Sequence, residues 1–164
     1  EEVMELHAAR LLLLFRHCGV NGKRIDSLTK MAKLDFFVRY PDFFVVAAAA
    51  EGKGPGTGAS EESRMVRYHY GPWDDRYYHL LSYLEALGLI SVSRERNSFR
   101  LALTDEGISV AAKLTESPSF EKLVDHMIQV KRVLGAKTGT RLKNLIYELF
   151  AKEVGDRSLG EEIV

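Results

Sequence analysis

Tyr70 to Gly107, YGPWDDRYYHLLSYLEALGLISVSRERNSFRLALTDEG, is the stretch that most constrains the fold. Tyr77, Leu80, Leu81, Leu84 and Leu87 recur at spacings of three and four, which places them on one buried helical face. Gly88 stops that helix. Pro72 discourages an earlier start, and the Asp74 carboxylate is an N-cap candidate because it can accept a backbone N–H left free in the first turn. Ile90, Val92 and Arg94 then alternate with Ser91, Ser93 and Glu95, and Phe99, Leu101 and Leu103 alternate with Arg100 and Ala102. That period of two predicts half-buried strands, with Asn97-Ser98 as the turn. Thr104 caps a following helix, whose Asp105 and Glu106 suit the positive end of its dipole.

This order predicts a winged helix-turn-helix: mostly α, with a small antiparallel β-wing and additional C-terminal helices. The expected division is 1–116 for the winged-helix domain and 117–164 for a helical extension packed on it, within the usual size of one compact unit. Glu2 to Cys18 forms a helix with Met4, Ala8, Leu11 and Phe15 on one face, and Leu12, Leu13 and Leu14 spread apolar surface around it. Ile25 to Tyr40 is expected to be the second helix, ended by Pro41, with Phe43 to Ala50 as a short apolar continuation. Asp35 and Arg39 fall inside the apolar arc of that helix. One outcome is a structural pair at the edge of the core, worth about 0.2–0.5 kcal/mol if exposed; the other is a pair that meets another element or protein, where desolvation needs further partners.

Glu51 to Glu62, EGKGPGTGASEE, is expected to be a mobile loop. A phosphate-binding loop does not fit, because no Gly-Lys-Ser/Thr follows at the required spacing. Arg64 to Tyr70 alternates as a short strand, with Val66, Tyr68 and Tyr70 expected on the core side. Ser117-Pro118 opens a helix ending at Gly135, and Arg141 to Lys152 forms the last one, with Leu142, Leu145, Ile146 and Leu149 on its buried face.

The chemistry-bearing residues point away from catalysis. His7, His17, His69, His79 and His126 lack paired metal-ligand spacing, so no metal and no cofactor is expected. Cys18, the sole cysteine, sits in an apolar helix with nothing to lower its pKa and is expected to be a core thiol in a reducing cytoplasm. No apolar run reaches the roughly 20 residues of a membrane span, and Glu1-Glu2 does not resemble a signal peptide. No catalytic residue is assigned, and the chain is read as a non-enzyme.

Lysine plus arginine and aspartate plus glutamate both number 23 in the 164 residues, which disfavours a generic polyanion binder. The helix before the wing carries Asp74, Asp75 and Glu85 against Arg76, a poor match to phosphate. Arg94, Arg96 and Arg100 on the wing are the candidate nucleic-acid contacts. Tyr70, Trp73, Arg76, Tyr78 and Tyr147 are the candidate partner contacts, since aromatics and arginine dominate interface hot spots. The opposing expectation for Tyr68, Trp73 and Tyr77 is plain core and rim packing.

The segment LSYLEALGLISVSRERNSFRLALTDEG resembles the recognition helix and wing of bacterial winged-helix proteins at large. More specifically, LTKMAKLDFFVRYPDFF, RYHYGPWDDRYYHLLSYLEALGLISV and TRLKNLIYELF resemble the small middle components of bacterial ABC-three component systems, including Lamassu-type antiphage defence. The resemblance implies a non-catalytic accessory subunit that binds an SMC-like ATPase bearing a coiled coil, alongside a nuclease or other effector subunit, with DNA reached mainly through the complex. The alternative is a winged-helix transcriptional regulator, dimeric through its first and last helices.

Overall fold

The computed structural model describes residues 2–52, 65–68, 71–150 and 162–163, and for 2–3, 65–68, 71–73 and 162–163 the backbone alone. Tyr70, most of the loop expected at 51–62 and most of the C-terminal tail lie outside the described residues. The protein is mostly helical, with small antiparallel sheets.

Helix α1, Glu2–Cys18, is the axis of the molecule. Leu11, Leu13, Leu14 and Phe15 are wholly buried because α2, α4, α5 and α6 all pack against it. An apolar surface on every side of a helix demands such a surround. Lys131 from α6 donates to the carbonyls of Cys18 and Gly19 at 3.3 and 3.1 Å, placing a cation at the C-terminal end of α1.

The chain then turns through Asn21 and Gly22, both at positive φ, into a short strand, β1, Arg24–Asp26. This corrects the expected helix from Ile25: α2 spans Leu28–Arg39. Ile25 pairs with Leu101 across the sheet and is buried there, a long-range pairing that outweighs local helical pattern. Ser27 makes the corner at φ 98° and ψ 144°, while its hydroxyl accepts from the Lys30 N–H at 3.1 Å. That backbone region is essentially restricted to glycine and costs about 1–3 kcal/mol elsewhere. Ser27→Gly relieves the strain and loses little capping, whereas Ser27→Ala keeps the strain and loses the cap. Urea denaturation is expected to find the glycine variant more stable than the alanine variant by about 1–3 kcal/mol.

Helix α3, Pro41–Ala50, starts with proline in its first turn. Strands β2 (Met65–Tyr68) and β3 (Gly71–Trp73) form an antiparallel pair, joined on the other side of β2 by β6, Glu162–Ile163. Helix α4, Tyr77–Ala86, ends at Gly88, whose φ of 76° suits a residue without a Cβ. Strands β4 (Ile90–Glu95) and β5 (Ser98–Leu103) follow the expected alternation, and β1 adds to β5 to give the order β1-β5-β4. The turn is one residue earlier than expected: Glu95 pairs with Ser98, so Arg96-Asn97 forms the loop with Arg96 at φ 56°.

Thr104 caps α5, Asp105–Glu116, by accepting from the Gly107 N–H at 3.0 Å. A Cβ on Gly107 would overlap the Leu89 carbonyl oxygen, so glycine lets α5 lie directly against the α4–β4 connection. A 3-10 turn at Pro118–Phe120 leads into α6, Glu121–Leu134, and Thr138 caps α7, Gly139–Leu149. Val130, Met127, Leu142 and Ile146 from these two helices join the buried cluster built by α1 and α2. Among the described residues no helix is long and apolar enough to cross a membrane.

Candidate functional site

The Asp35–Arg39 pair is the entry to a larger buried web. Both side chains are fully buried, so the pair at the edge of the core gives way to the alternative in which they meet other elements. Their own separation is 3.8 Å, and the closer contacts come from elsewhere. Arg10 on α1 grips Asp35 with two parallel bonds, Nε to Oδ1 at 2.9 Å and Nη2 to Oδ2 at 3.1 Å. The Tyr77 hydroxyl on α4 donates to Asp35 Oδ2 at 2.6 Å. Arg39 reaches past Asp35 to donate to Asp74 Oδ2 at 2.6 Å. Forked guanidinium–carboxylate pairs of this kind are directional as well as strong.

Asp74 sits just before α4. It accepts from the Arg76 backbone N–H at 2.9 Å and from the Arg76 guanidinium at 2.9 and 2.7 Å. This corrects the expected N-cap: the cap position of α4 is Arg76, without a side-chain cap bond, and Asp74 lies two residues earlier, its carboxylate accepting the Arg76 N–H and not one from the first turn. Burial opposes its charge, yet the Arg76 and Arg39 hydrogen bonds hold its carboxyl well below the usual range. His7 lies between two arginines, with Arg10 at Nδ1 and Arg76 at Nε2, the latter at 2.6 Å. A neutral imidazole has one acceptor nitrogen, so one of these contacts at a time is a hydrogen bond. Burial first, then the charges of Arg10, Arg76 and Arg39, lower its pKa to about 4. Burial and then Asp35 push the Tyr77 hydroxyl well above its usual value. The web is therefore carboxylates against guanidiniums with a neutral phenol and imidazole at neutral pH. It joins α1, α2 and the start of α4.

The other sensitive groups have structural partners. Cys18 is buried, donates to the Met127 carbonyl at 3.4 Å and is pushed up to about 12 by burial. His17 contacts Thr115 at 2.9 Å, and His126 Nε2 donates to the Phe37 carbonyl at 2.9 Å. Among the described residues no cluster of three His, Cys, Asp or Glu could hold a metal ion. A cavity of about 500 Å³ between the starts of α2 and α7 is lined by Lys30, Lys137 and Lys143. Lys30 is engaged with the Gly135 carbonyl and Lys137 with Glu51.

The surface of α4 next to the web is of another kind. Tyr78, Leu81, Ser82 and Glu85 form one stripe of the helix, and with Leu28 of α2 and Val92, Phe99 and Leu101 of the hairpin they line a groove of about 140 Å³. Tyr78 and Phe99 are 61% and 39% exposed, large apolar surfaces at its rim. The hairpin arginines divide. Arg100 pairs with Glu95 at 2.8 Å and Asp26 at 3.3 Å. Arg94 and Arg96 are exposed and make no ion pair among the described residues.

Of the expected partner contacts, Tyr78 lines this groove. Arg76, in contrast, is committed to Asp74 and His7. Tyr147 is half-buried on α7, which packs on α2, α3 and β3, so it belongs to a different part of the fold. Tyr70 and the Trp73 side chain lie outside the described residues. Sequence reasoning missed His7, Arg10, Leu28 and Phe99. A lone arginine inside the run AARLLLLF was the available signal for Arg10, because such a residue must find an acid when its helix is buried. Comparison with protein-family models, with curated proteins and with solved structures gives no match.

Proposed function

We propose that this chain is a winged helix that serves as the non-catalytic accessory subunit of a bacterial antiphage defence complex, binding an SMC-like ATPase beside an effector subunit in the cytoplasm. The observation that carries the reading is the face between α4 and the β4–β5 hairpin, where a DNA-reading winged helix needs base. Here α4 carries Glu85 and no lysine or arginine, and an apolar groove opens between helix and hairpin. A phosphate backbone is repelled by such a helix, whereas a protein side chain can be buried in such a groove. The element order supports it too: α1, β1, α2, α4, β4 and β5 follow the winged-helix sequence, with α3, β2 and β3 inserted before α4. The ABC-three component resemblance supplies the partner class.

A second reading, a DNA-binding regulator, draws on the exposed Arg94 and Arg96 at the hairpin tip. The two part experimentally. Co-expressed with the proteins encoded beside its gene, the tagged chain is expected to co-elute with an ATPase among them and to bind a promoter duplex weakly when alone. Tight duplex binding that falls steeply with salt, with no ATPase recovered, overturns the accessory-subunit reading.

A further inference from the structure

The cavity between the first turns of α2 and α7 has walls of lysine, hydroxyl and backbone N–H, the chemistry that holds an anion. We propose that it binds a compact phosphate polyanion, a diphosphate group, between the ammoniums of Lys30 and Lys143. Such binding is a property of the chain alone and does not rest on the accessory-subunit reading.

Charge carries the assignment. The lining holds three lysines, Lys30, Lys137 and Lys143, against one acid, Asp26. Asp26 is already bonded to Arg24 at 3.0 Å and Arg100 at 3.3 Å, and Lys137 is paired with Glu51 at 2.5 Å. Lys30 donates to a neutral acceptor, the Gly135 carbonyl, at 2.8 Å. Lys143 makes no hydrogen bond or ion pair among the described residues. Two ammonium charges are thus left without a carboxylate of their own. Neighbouring lysines add to them: burial and then Lys143 lower the pKa of Lys33 to about 7, and burial and then Lys131 lower that of Lys30. A chain of zero net charge therefore carries a local excess of base here, and a concave site concentrates its field.

The backbone supplies further donors. A Cβ on Gly139 would come within 2.9 Å of the Lys30 backbone nitrogen and 3.2 Å of Thr29 Cγ2, so glycine lets the first turns of the two helices meet at the cavity. The Thr138 hydroxyl caps the Arg141 N–H, which leaves the N–H groups of Gly139 and Thr140 without a helical partner. The hydroxyls of Thr29 and Thr140 are likewise unbonded among the described residues. Phosphate oxygens complement such donors.

Size and lining choose among anions. The cavity's roughly 500 Å³ falls within the range of about 300–1,000 Å³ usual for small-molecule sites, more room than a single phosphate fills. No aromatic ring lines it, so a base has nothing to stack on, and the phosphate groups are what the walls can recognise.

Isothermal titration calorimetry of the full chain, without divalent cations, tests this with inorganic diphosphate and inorganic phosphate as probes. Diphosphate is expected to bind at least about tenfold more tightly than phosphate. Lys30→Gln and Lys143→Gln each weaken diphosphate binding about tenfold or more, as expected for one lost charge-assisted bond. Lys143→Arg retains it. Lys113→Gln, which removes an exposed charge from α5, leaves it unchanged. Circular dichroism verifies that each variant is folded. ADP and adenosine separate the sources of the group: ADP bound like diphosphate with adenosine silent assigns it to a nucleotide, and ADP refused assigns it to smaller diphosphates, both upholding the site. No binding of diphosphate, equal binding of phosphate and diphosphate, or binding unaffected by Lys143→Gln overturns the proposal. So does an equal loss in Lys113→Gln, binding of adenosine, or displacement of diphosphate by an equimolar DNA duplex.

Discussion

Asp35→Asn is expected to lower the free energy of unfolding by about 3–5 kcal/mol, because it removes the charge that faces buried Arg10 and Arg39 while leaving both guanidiniums in place. The substitution is nearly isosteric, so no cavity contributes. Arg10 Nε and Nη2 point at the two carboxylate oxygens at 2.9 and 3.1 Å, and an amide nitrogen placed at either oxygen turns one of those bonds into a donor–donor contact. The Tyr77 hydroxyl, 2.6 Å from Oδ2, loses a charged acceptor at the same moment. Tyr77→Phe is the milder probe, expected to cost about 1.5–3 kcal/mol as a lost hydrogen bond to a charged group. Because both substitutions break the same bond, the double variant is expected to fall short of the sum, and guanidinium titrations of the four proteins give the coupling directly. A simple sum would mean that Tyr77 and Asp35 act independently, against the geometry.

The web explains which parts of the fold were legible in the sequence and which were not. Helix α1, the α4–hairpin–α5 succession and the cap at Thr104 were readable because each depends on local period and local hydrogen bonding. Strand β1 was not, because Arg24–Asp26 becomes a strand only by pairing with β5, more than seventy residues away in sequence. The turn was misplaced by one residue because Arg96 occupies a left-handed conformation that its side chain does not advertise. For the site, Asp35 and Arg39 were visible as charges within an apolar arc, but nothing local links them to Arg10, Asp74 or Tyr77. Likewise the hairpin arginines were visible as a group, while their division into paired Arg100 and exposed Arg94 and Arg96 follows from the sheet register.

A buried charge outside this web gives the opposite expectation. Lys33 on α2 is 1% exposed, and burial, followed by repulsion from Lys143, lowers its pKa to about 7. The unfolded chain holds that proton up to about pH 10.4. Between pH 7 and 10 the unfolded state therefore binds more protons than the folded one, so stability rises with pH across that window. The slope cannot exceed about 1.4 kcal/mol per pH unit for one group, so a rise of about 2 kcal/mol is expected from pH 7 to 9. His7, lowered to about 4, acts elsewhere: its contribution is complete above its unfolded value of 6.5 and shrinks as pH falls from there toward 4. Lys33→Met keeps the length and apolar stem of the side chain without the ammonium. It is expected to raise stability at pH 7 by about 2 kcal/mol and to flatten the profile between pH 7 and 9. Urea titrations of both proteins at pH 7, 8 and 9 measure the two effects together. A methionine variant that is less stable at pH 7, with the slope retained, would show that the interactions of Lys33 outweigh the desolvation of its charge and that another group carries the alkaline rise.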